Sequence, residues 1–348
     1  MADEHGLSRP PDHRVRPRLG RVLTLLLLGV GVHLLLPQLA EVPRAISVIR
    51  NMAWSLLGVA IATQIISYVG NGYLLRTLVA DSEHSLSLPR SVAIIVASGS
   101  VGMVAGGVAG VIAAMVRWLH AARVNKGDAI IAGIFVIQIT NVVIMGTSLV
   151  GLAYLLAEHE VTGLQVAGFG FMVATLALAV GFVALARRDP SRLAHVLERV
   201  AHPLAKLLRR PVTPGRLESQ ITAALAIWDR RRARGWLRPL LAAGADTGFD
   251  MLSLLALFYA AGHPISLGVL LVGYGLPLLL GKVTFLPGGV GVVELTMAAL
   301  YGGFGLPQEV LVVVVLAYRL LSFWFPALLG FVLVPFLNSA TDAAASDP

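Results

Sequence analysis

The sequence predicts an all-α polytopic membrane protein with about six spanning helices. It also predicts two re-entrant, glycine-broken helical hairpins that enter from opposite faces as an inverted repeat. Three observations carry this. Hydrophobic residues make up 57% of the 348 and charged residues only 13%, against about 25% charged in a soluble domain. Several apolar runs reach the ~20 residues that cross a bilayer as one helix. Two further apolar stretches are interrupted by glycine and proline, and irregular backbone survives at membrane depth only where it is buried in protein or lines a cavity.

Composition also excludes several classes of function. There is no cysteine, so neither disulfides nor thiolate metal sites can form. The nine histidines are scattered without H-x-x-H or H-E-x-x-H spacing, and no metal site or cofactor is expected. A net charge of +8 would point to nucleic acid in a soluble protein. In a membrane protein the positive-inside rule accounts for it, and no nucleic-acid partner is expected.

Taken in order, residues 1–21 form a polar tail in which five arginines face three carboxylates, a net +2, and three prolines oppose helix. The apolar run from Val22 to about Leu39 is read as a retained first helix, since no small-residue cleavage site follows it. Trp54–Val79 is the second. Ser91–Val116 has the length of one span, yet its middle reads Gly99-Ser-Val-Gly-Met-Val-Ala-Gly-Gly107. Ala129–Leu156 and Val161–Ala186 are spans on either side of an acidic loop, Glu158-His-Glu160. They complete an N-terminal membrane half, residues 22–186.

Residues 187–238 hold thirteen Lys or Arg against four carboxylates, a net +9 that exceeds the charge of the whole chain. This segment belongs in the cytoplasm. Within it Leu193, Val196, Leu197, Val200, Leu204, Leu207 and Leu208 follow helical spacing, while Arg192, Arg199, Lys206, Arg209 and Arg210 lie largely elsewhere. That is the pattern of an interfacial helix resting on anionic headgroups; a solvated helical linker between two halves would show it too. The C-terminal membrane half, residues 239–337, holds a span at Pro239–Ala261, a broken stretch at Leu267–Phe304 and a last helix at Val310–Val334. Residues 338–348 are expected to be a disordered tail.

Charge placement fixes the topology. With the tail, Asp81–Arg90, Arg117–Asp128 and the +9 segment inside, Ser91–Val116 cannot cross fully, because later basic loops would then invert. A hairpin entering and leaving on the cytoplasmic face removes the conflict. Leu267–Phe304 becomes its counterpart from outside, with the tip at Pro287–Gly291 and both termini of the chain cytoplasmic. Paired broken elements of this kind mark transporters with a site near the midplane. Ordinary kinked helices that use glycine for close packing are the plainer alternative.

Chemistry is sparse. Beyond Arg238 the only cationic side chains are Lys282 and Arg319, and a membrane cation costs at least ~2.5 kcal/mol unless partnered or hydrated. Glu294, Asp246 and Asp250 are the available carboxylates, the two aspartates four residues apart on one helix face. One reading pairs Glu294 with Arg319 to pin the broken arm. The other has Lys282 or Arg319 bind a phosphate headgroup, helped by free amides near Pro287, Gly288, Gly289 and Gly291. No catalytic triad, P-loop or nucleotide fingerprint is present, and the chain is not expected to be an enzyme.

The run Pro287-Gly-Gly-Val-Gly-Val-Val-Glu294, with Gly305-Leu-Pro307, Ala317-Tyr-Arg319 and Phe323-Trp-Phe-Pro-Ala-Leu-Leu-Gly330, resembles one known family. It is the flippase-like transmembrane region of lysylphosphatidylglycerol synthases, also called the multiple peptide resistance factor flippase domain. The resemblance is specific over Leu286–Gly330 and extends over Val22–Val334. Gly99–Gly110 departs from it, lacking the acidic and basic element usual in the third segment. The resemblance implies a flippase of the bacterial plasma membrane that moves an anionic phospholipid or a polyprenyl-linked sugar. Lys282, Asp250, Glu294, Arg319 and the glycine turn would line its cavity. No soluble synthetase domain precedes the end at Pro348, so lysyl-lipid synthesis is not expected. Two alternatives are a membrane partner that docks a cytosolic glycosyltransferase or synthetase through residues 187–238, and ion-coupled solute transport through Asp246 and Asp250. Oligomer formation is compatible with either.

Overall fold

A computed structural model describes residues 42–79, 86–104, 107–158, 163–208, 235–283 and 287–346, with isolated positions between 218 and 229. The tail 1–21, the helix expected at Val22–Leu39, residues 81–85 and 159–160, Arg209, Arg210, and Phe285 and Leu286 of the glycine motif lie outside them. All regular structure among the described residues is helical. Three helices there are long and apolar enough to cross a membrane, over Lys126–Tyr154, Leu237–Ala260 and Gln308–Ser339.

The helices are α1 (Val42–Asn51), α2 (Trp54–Val79), α3 (Leu88–Val104), α4 (Val108–Ala121), α5 (Lys126–Glu158), α6 (Gly163–Arg188) and α7 (Pro190–Leu208). After the basic segment come α8 (Leu237–Ala260), α9 (Leu267–Val283), α10 (Val292–Gly303), α11 (Gln308–Arg319) and α12 (Phe325–Ser346). A short 3₁₀ turn, Pro287–Gly289, joins α9 to α10, and a π-helical turn, Leu320–Trp324, carries α11 into α12. Two differences from the sequence expectation stand out. α1 fills a stretch for which no element is expected, packing on α11. The helix also runs to Ser346 where a disordered tail is expected from Asn338, because the alanine-rich end favours helix and Trp118 Nε1 donates to Asn338 Oδ1 at 3.1 Å.

The central pair is α2 against α8, antiparallel and very close. Ala53 N donates to the Ala260 carbonyl at 2.9 Å. Near the other end Gly70 lies so close to α8 that a Cβ there would stand 2.9 Å from Asp246 N. Small residues allow such approach where lipid supplies no hydrophobic drive between helices. This contact brings the polar stripe of α2 onto the two aspartates of α8.

Both glycine-broken stretches fold as paired short helices. In the first, α3 and α4 meet at Gly107, whose φ is 66° and whose N–H donates to the Gly102 carbonyl at 2.7 Å. At 17 and 14 residues, each falls short of the ~20 needed to cross. In the second, α9 and α10 run antiparallel: Gly273 faces the Tyr301 ring and Gly281 faces Val293. Tyr301 Oη donates to the Leu270 carbonyl at 3.4 Å, and Phe258 meets the Tyr301 ring edge-on at 4.9 Å. The Pro287–Gly289 turn also packs on α3, so the two broken elements touch.

α12 closes the bundle. Ser100 Oγ donates to the Ala327 carbonyl at 2.7 Å, and Gly330 sits against Val96 and Ser100. Its outer side exposes Phe325, Leu328, Val332 and Phe336, an apolar stripe at helical spacing that suits lipid.

α7 turns only part of its expected apolar face inward, with Val196 44% exposed. Leu193 and Ala194 are buried while Arg192 and Arg199 are exposed. Asp189 caps its N-terminus, accepting from Ser191 Oγ at 2.6 Å and Arg192 N at 2.9 Å. Those two bonds hold its carboxyl below the ordinary range, and Pro190 takes the first helical position, where a missing N–H costs nothing.

Candidate functional site

The structure brings Glu294 and Arg319 together in a closed clamp. Arg319 Nε donates to Glu294 Oε1 at 2.7 Å, with both side chains at most 5% exposed. The other carboxylate oxygen accepts from Gly291 N at 2.6 Å, and Arg319 Nη2 donates to the Gly288 carbonyl at 2.8 Å. The guanidinium carbon stands 4.3 Å from the centroid of the Phe323 ring. Glu294 lies in the first turn of α10, where a carboxylate also meets the exposed amides of the helix end. Three glycines give the turn its shape: Gly288, Gly289 and Gly291 have φ of 64°, 65° and 86°. Every bond named here is internal. The clamp holds the turn.

Lys282 and Asp250 go elsewhere, to a polar cavity of about 180 Å³. It is lined by Gln64, Ser67, Tyr68 and Asn71 of α2, Thr140 of α5, Asp246, Thr247 and Asp250 of α8, Tyr274 and Lys282 of α9, and Ser322 of the π turn. Asp250 Oδ2 accepts from Tyr274 Oη at 2.6 Å and Tyr318 Oη at 2.7 Å, and its Oδ1 from Gln64 Nε2 at 2.8 Å. Asp246 accepts from Ser67 Oγ at 2.9 Å and Asn71 Nδ2 at 2.8 Å. Lys282 Nζ donates to Asn141 Oδ1, and Asn141 in turn to Gln138 Oε1. Tyr68 Oη donates to the Ser322 carbonyl at 2.7 Å.

The two aspartates are thus held by neutral donors. Five cavity-lining atoms have no hydrogen-bond partner: Gln64 Oε1, Asn71 Oδ1, Thr140 Oγ1, Thr247 Oγ1 and Ser322 Oγ. Buried polar groups left unpaired are rare enough in folded proteins that each needs a reason. Removing one aspartate donor tests how far the network stabilises the bundle. Tyr318→Phe is expected to cost about 1 kcal/mol, read as a lower unfolding midpoint in detergent; an unchanged midpoint would show Asp250 adequately held by its other two donors.

The cavity and clamp decide the disposition of the expected site. Glu294, Arg319, Gly288, Gly289 and Gly291 are gathered at the second broken element, and Lys282 and Asp250 line the cavity beside it. The first broken element contributes no cavity-lining residue among those described. Of the surface arginines, Arg192 and Arg199 lie on α7, away from both. Gln64, Ser67, Tyr68 and Asn71 were not singled out from the sequence. Their signal is there: polar residues at i, i+3, i+4 and i+7 within an apolar helix mark one buried polar face.

The family model of the lysylphosphatidylglycerol synthase TM region matches residues 19–330. The chain belongs to that family. Within the lysylphosphatidylglycerol synthase TM region family, its similarity extends to UPF0104 membrane proteins of archaea. One from Pyrococcus horikoshii is 36% identical over 88 residues, covering 25% of this chain and 26% of that protein. Another, from Methanothermobacter thermautotrophicus, is 30% identical over 98 residues, 28% of this chain and 29% of its own length. A third, from Methanocaldococcus jannaschii, is 29% identical over 94 residues, 27% and 28% of the two chains. Each match therefore spans under a third of the relative.

Proposed function

We propose that this chain moves the polar headgroup of a membrane lipid across the plasma membrane, the acyl or prenyl chains staying in the bilayer. One observation carries the proposal: a hydrophilic cavity, with unpaired polar atoms in its wall, inside an apolar helical bundle and beside a broken hairpin. Polar atoms in such a place are costly and mark substrate paths in membrane proteins. On this reading α3–α4 and α9–α10 are re-entrant from opposite faces. The short arms, the packing of the Pro287–Gly289 turn on α3 and family membership support it.

Of the two headgroup classes, a polyprenyl-phosphate-linked sugar fits the lining better than a simple anionic phospholipid. Lys282 offers one cation to a phosphate, as a compact charge on a flexible stem. The rest of the wall offers acceptors and hydroxyls, which suit sugar hydroxyls and repel further anionic charge. No covalent step is part of the proposal.

Reconstituted liposomes provide the test. Labelled lipid-linked sugar is followed by its accessibility to an impermeant reagent added outside. The wild-type protein is expected to accelerate exchange over protein-free liposomes, and Lys282→Gln to slow it about tenfold or more, the value of a charge-assisted hydrogen bond. Exchange equal to protein-free liposomes, for both headgroup classes, would overturn the proposal.

A further inference from the structure

The charges that line the cavity set a condition on what can enter it. Its described lining holds two carboxylates, Asp246 and Asp250, and one cation, Lys282. α8, which carries the aspartates, packs on α2, α5, α9 and α11. From these, Tyr68, Tyr274, Lys282, Tyr318 and Arg319 act on the pair, while α5 brings only Thr140 and Ile144 to the wall. Arg319 is committed to Glu294 at 2.7 Å. Among the described residues, Lys282 is therefore the cation for which aspartates and an incoming phosphate compete. The inference rests on the reading that a headgroup phosphate takes Lys282 as its counter-ion. The loaded cavity then sets three negative charges against one positive, and buried charge without compensation is expensive. A proton on one carboxylate is the smallest positive charge that can arrive with the phosphate.

Hydrogen bonding says which carboxylate takes it. Asp250 accepts from three donors, Tyr274 Oη, Tyr318 Oη and Gln64 Nε2, and donors aimed at a carboxylate stabilise its ionised form. Asp246 accepts from two, Ser67 Oγ and Asn71 Nδ2. The second is an amide, which carries an acceptor as well as a donor. Asn71 Oδ1 has no partner. With the amide turned over, that oxygen would stand where Nδ2 now stands, 2.8 Å from Asp246 Oδ2, and accept a proton carried there. One contact then serves both forms of Asp246, with donor and acceptor exchanged and no backbone moved. Gln64 offers Asp250 a similar exchange, but two tyrosine hydroxyls converge on the other oxygen of that carboxylate.

We propose that a headgroup phosphate crosses together with a proton carried on Asp246. The proton passes from water on one side to Asp246 Oδ2, and from there to water on the other. No bond of the lipid changes and no electron is transferred. For a phosphodiester, such as a sugar linked to polyprenyl monophosphate, one proton per lipid makes the crossing electroneutral. A pH difference then drives it, and the membrane potential does not.

The test uses the full chain in liposomes with a labelled polyprenyl-phosphate-linked sugar, the potential clamped by valinomycin and potassium. Under a pH difference of about one unit, wild type is expected to gather the lipid about tenfold in the leaflet facing the alkaline side, the ratio that balances one proton per lipid. A steady-state ratio does not depend on how fast a variant works. Asp246→Asn is therefore expected to leave the lipid even between leaflets, and Asp250→Asn to keep the asymmetry. An even distribution by wild type under the pH difference would overturn the proposal, as would redistribution by potential alone at equal pH. A second measurement separates the proton from translocation. The purified chain in weakly buffered detergent receives the same lipid while a pH indicator is read. Uptake of about one proton per lipid bound, absent in Asp246→Asn, is expected from linkage. Such uptake by a protein that moves no lipid would sink the proposed function and support the paired binding argued here. No uptake by a protein that does move lipid would do the reverse. Uptake lost in Asp250→Asn but kept in Asp246→Asn would overturn the assignment to Asp246. Should Asp246→Asn fail to fold, the wild-type ratio and uptake decide.

Discussion

Arg319→Met is expected to lower the stability of the folded protein by about 3–5 kcal/mol, the usual cost of leaving one member of a buried ion pair behind. Glu294 is 2% exposed, so water cannot replace the lost guanidinium. Its Oε1 would lose the 2.7 Å bond, and the Gly288 carbonyl would lose its 2.8 Å donor. Glu294→Gln alone should fall in the same range, since it leaves a buried cation. The double variant should recover part of the loss, because the net charge is then absent and the coupling between the two sites is strong. Reversible unfolding in mixed micelles measures all three. The same proteins answer a second question in liposomes. If the pair acts on the fold, the double variant keeps exchange in proportion to its folded fraction. If single variants fold as well as wild type but stop exchange, the clamp is a substrate site and the assignment made here is wrong.

Gly289→Ala is expected to be comparably severe, about 3–5 kcal/mol when a left-handed backbone penalty is joined to an overpacked contact. The φ at Gly289 is 65°, and a Cβ would stand 2.6 Å from the Gly281 Cα, which is backbone and cannot rotate away. Gly99→Ala serves as control. Nothing lies within 4 Å of the Cβ it would add, and alanine is the better helix former, so stability should hold or rise by up to about 1 kcal/mol. A tolerated Gly289→Ala would mean the turn can open without cost.

Much of this arrangement is legible in the sequence because it depends on local rules. Trp54–Val79 has the same bounds in the structure as in the pattern of apolar residues. The break at Pro287–Gly291 follows from residues that cannot continue a helix, and Glu294 with Arg319 follows from the scarcity of charge in apolar sequence. The cavity is different. Its wall combines α2, α5, α8, α9 and the π turn, and only the approach of Gly70 to Asp246 sets the α2 stripe opposite the aspartates. Pairings of that kind span some 175 residues of chain, and no periodicity announces them. α1 escapes for a related reason. Its ten residues are held by α11 and not by a spanning apolar run.

The π turn after Arg319 has a mechanical consequence. Its five residues, Leu320–Trp324, supply Phe323 to the guanidinium and Ser322 to the cavity wall, where the Ser322 carbonyl receives Tyr68. Such a turn carries one residue more than an α-helical turn, and tightening it would rotate everything beyond by about 100° relative to α11. Phe323 would leave the arginine and Ser322 would leave the tyrosine in the same movement. The grip on the hairpin tip and the wall of the cavity are two ends of one lever, with its fulcrum in the last helix.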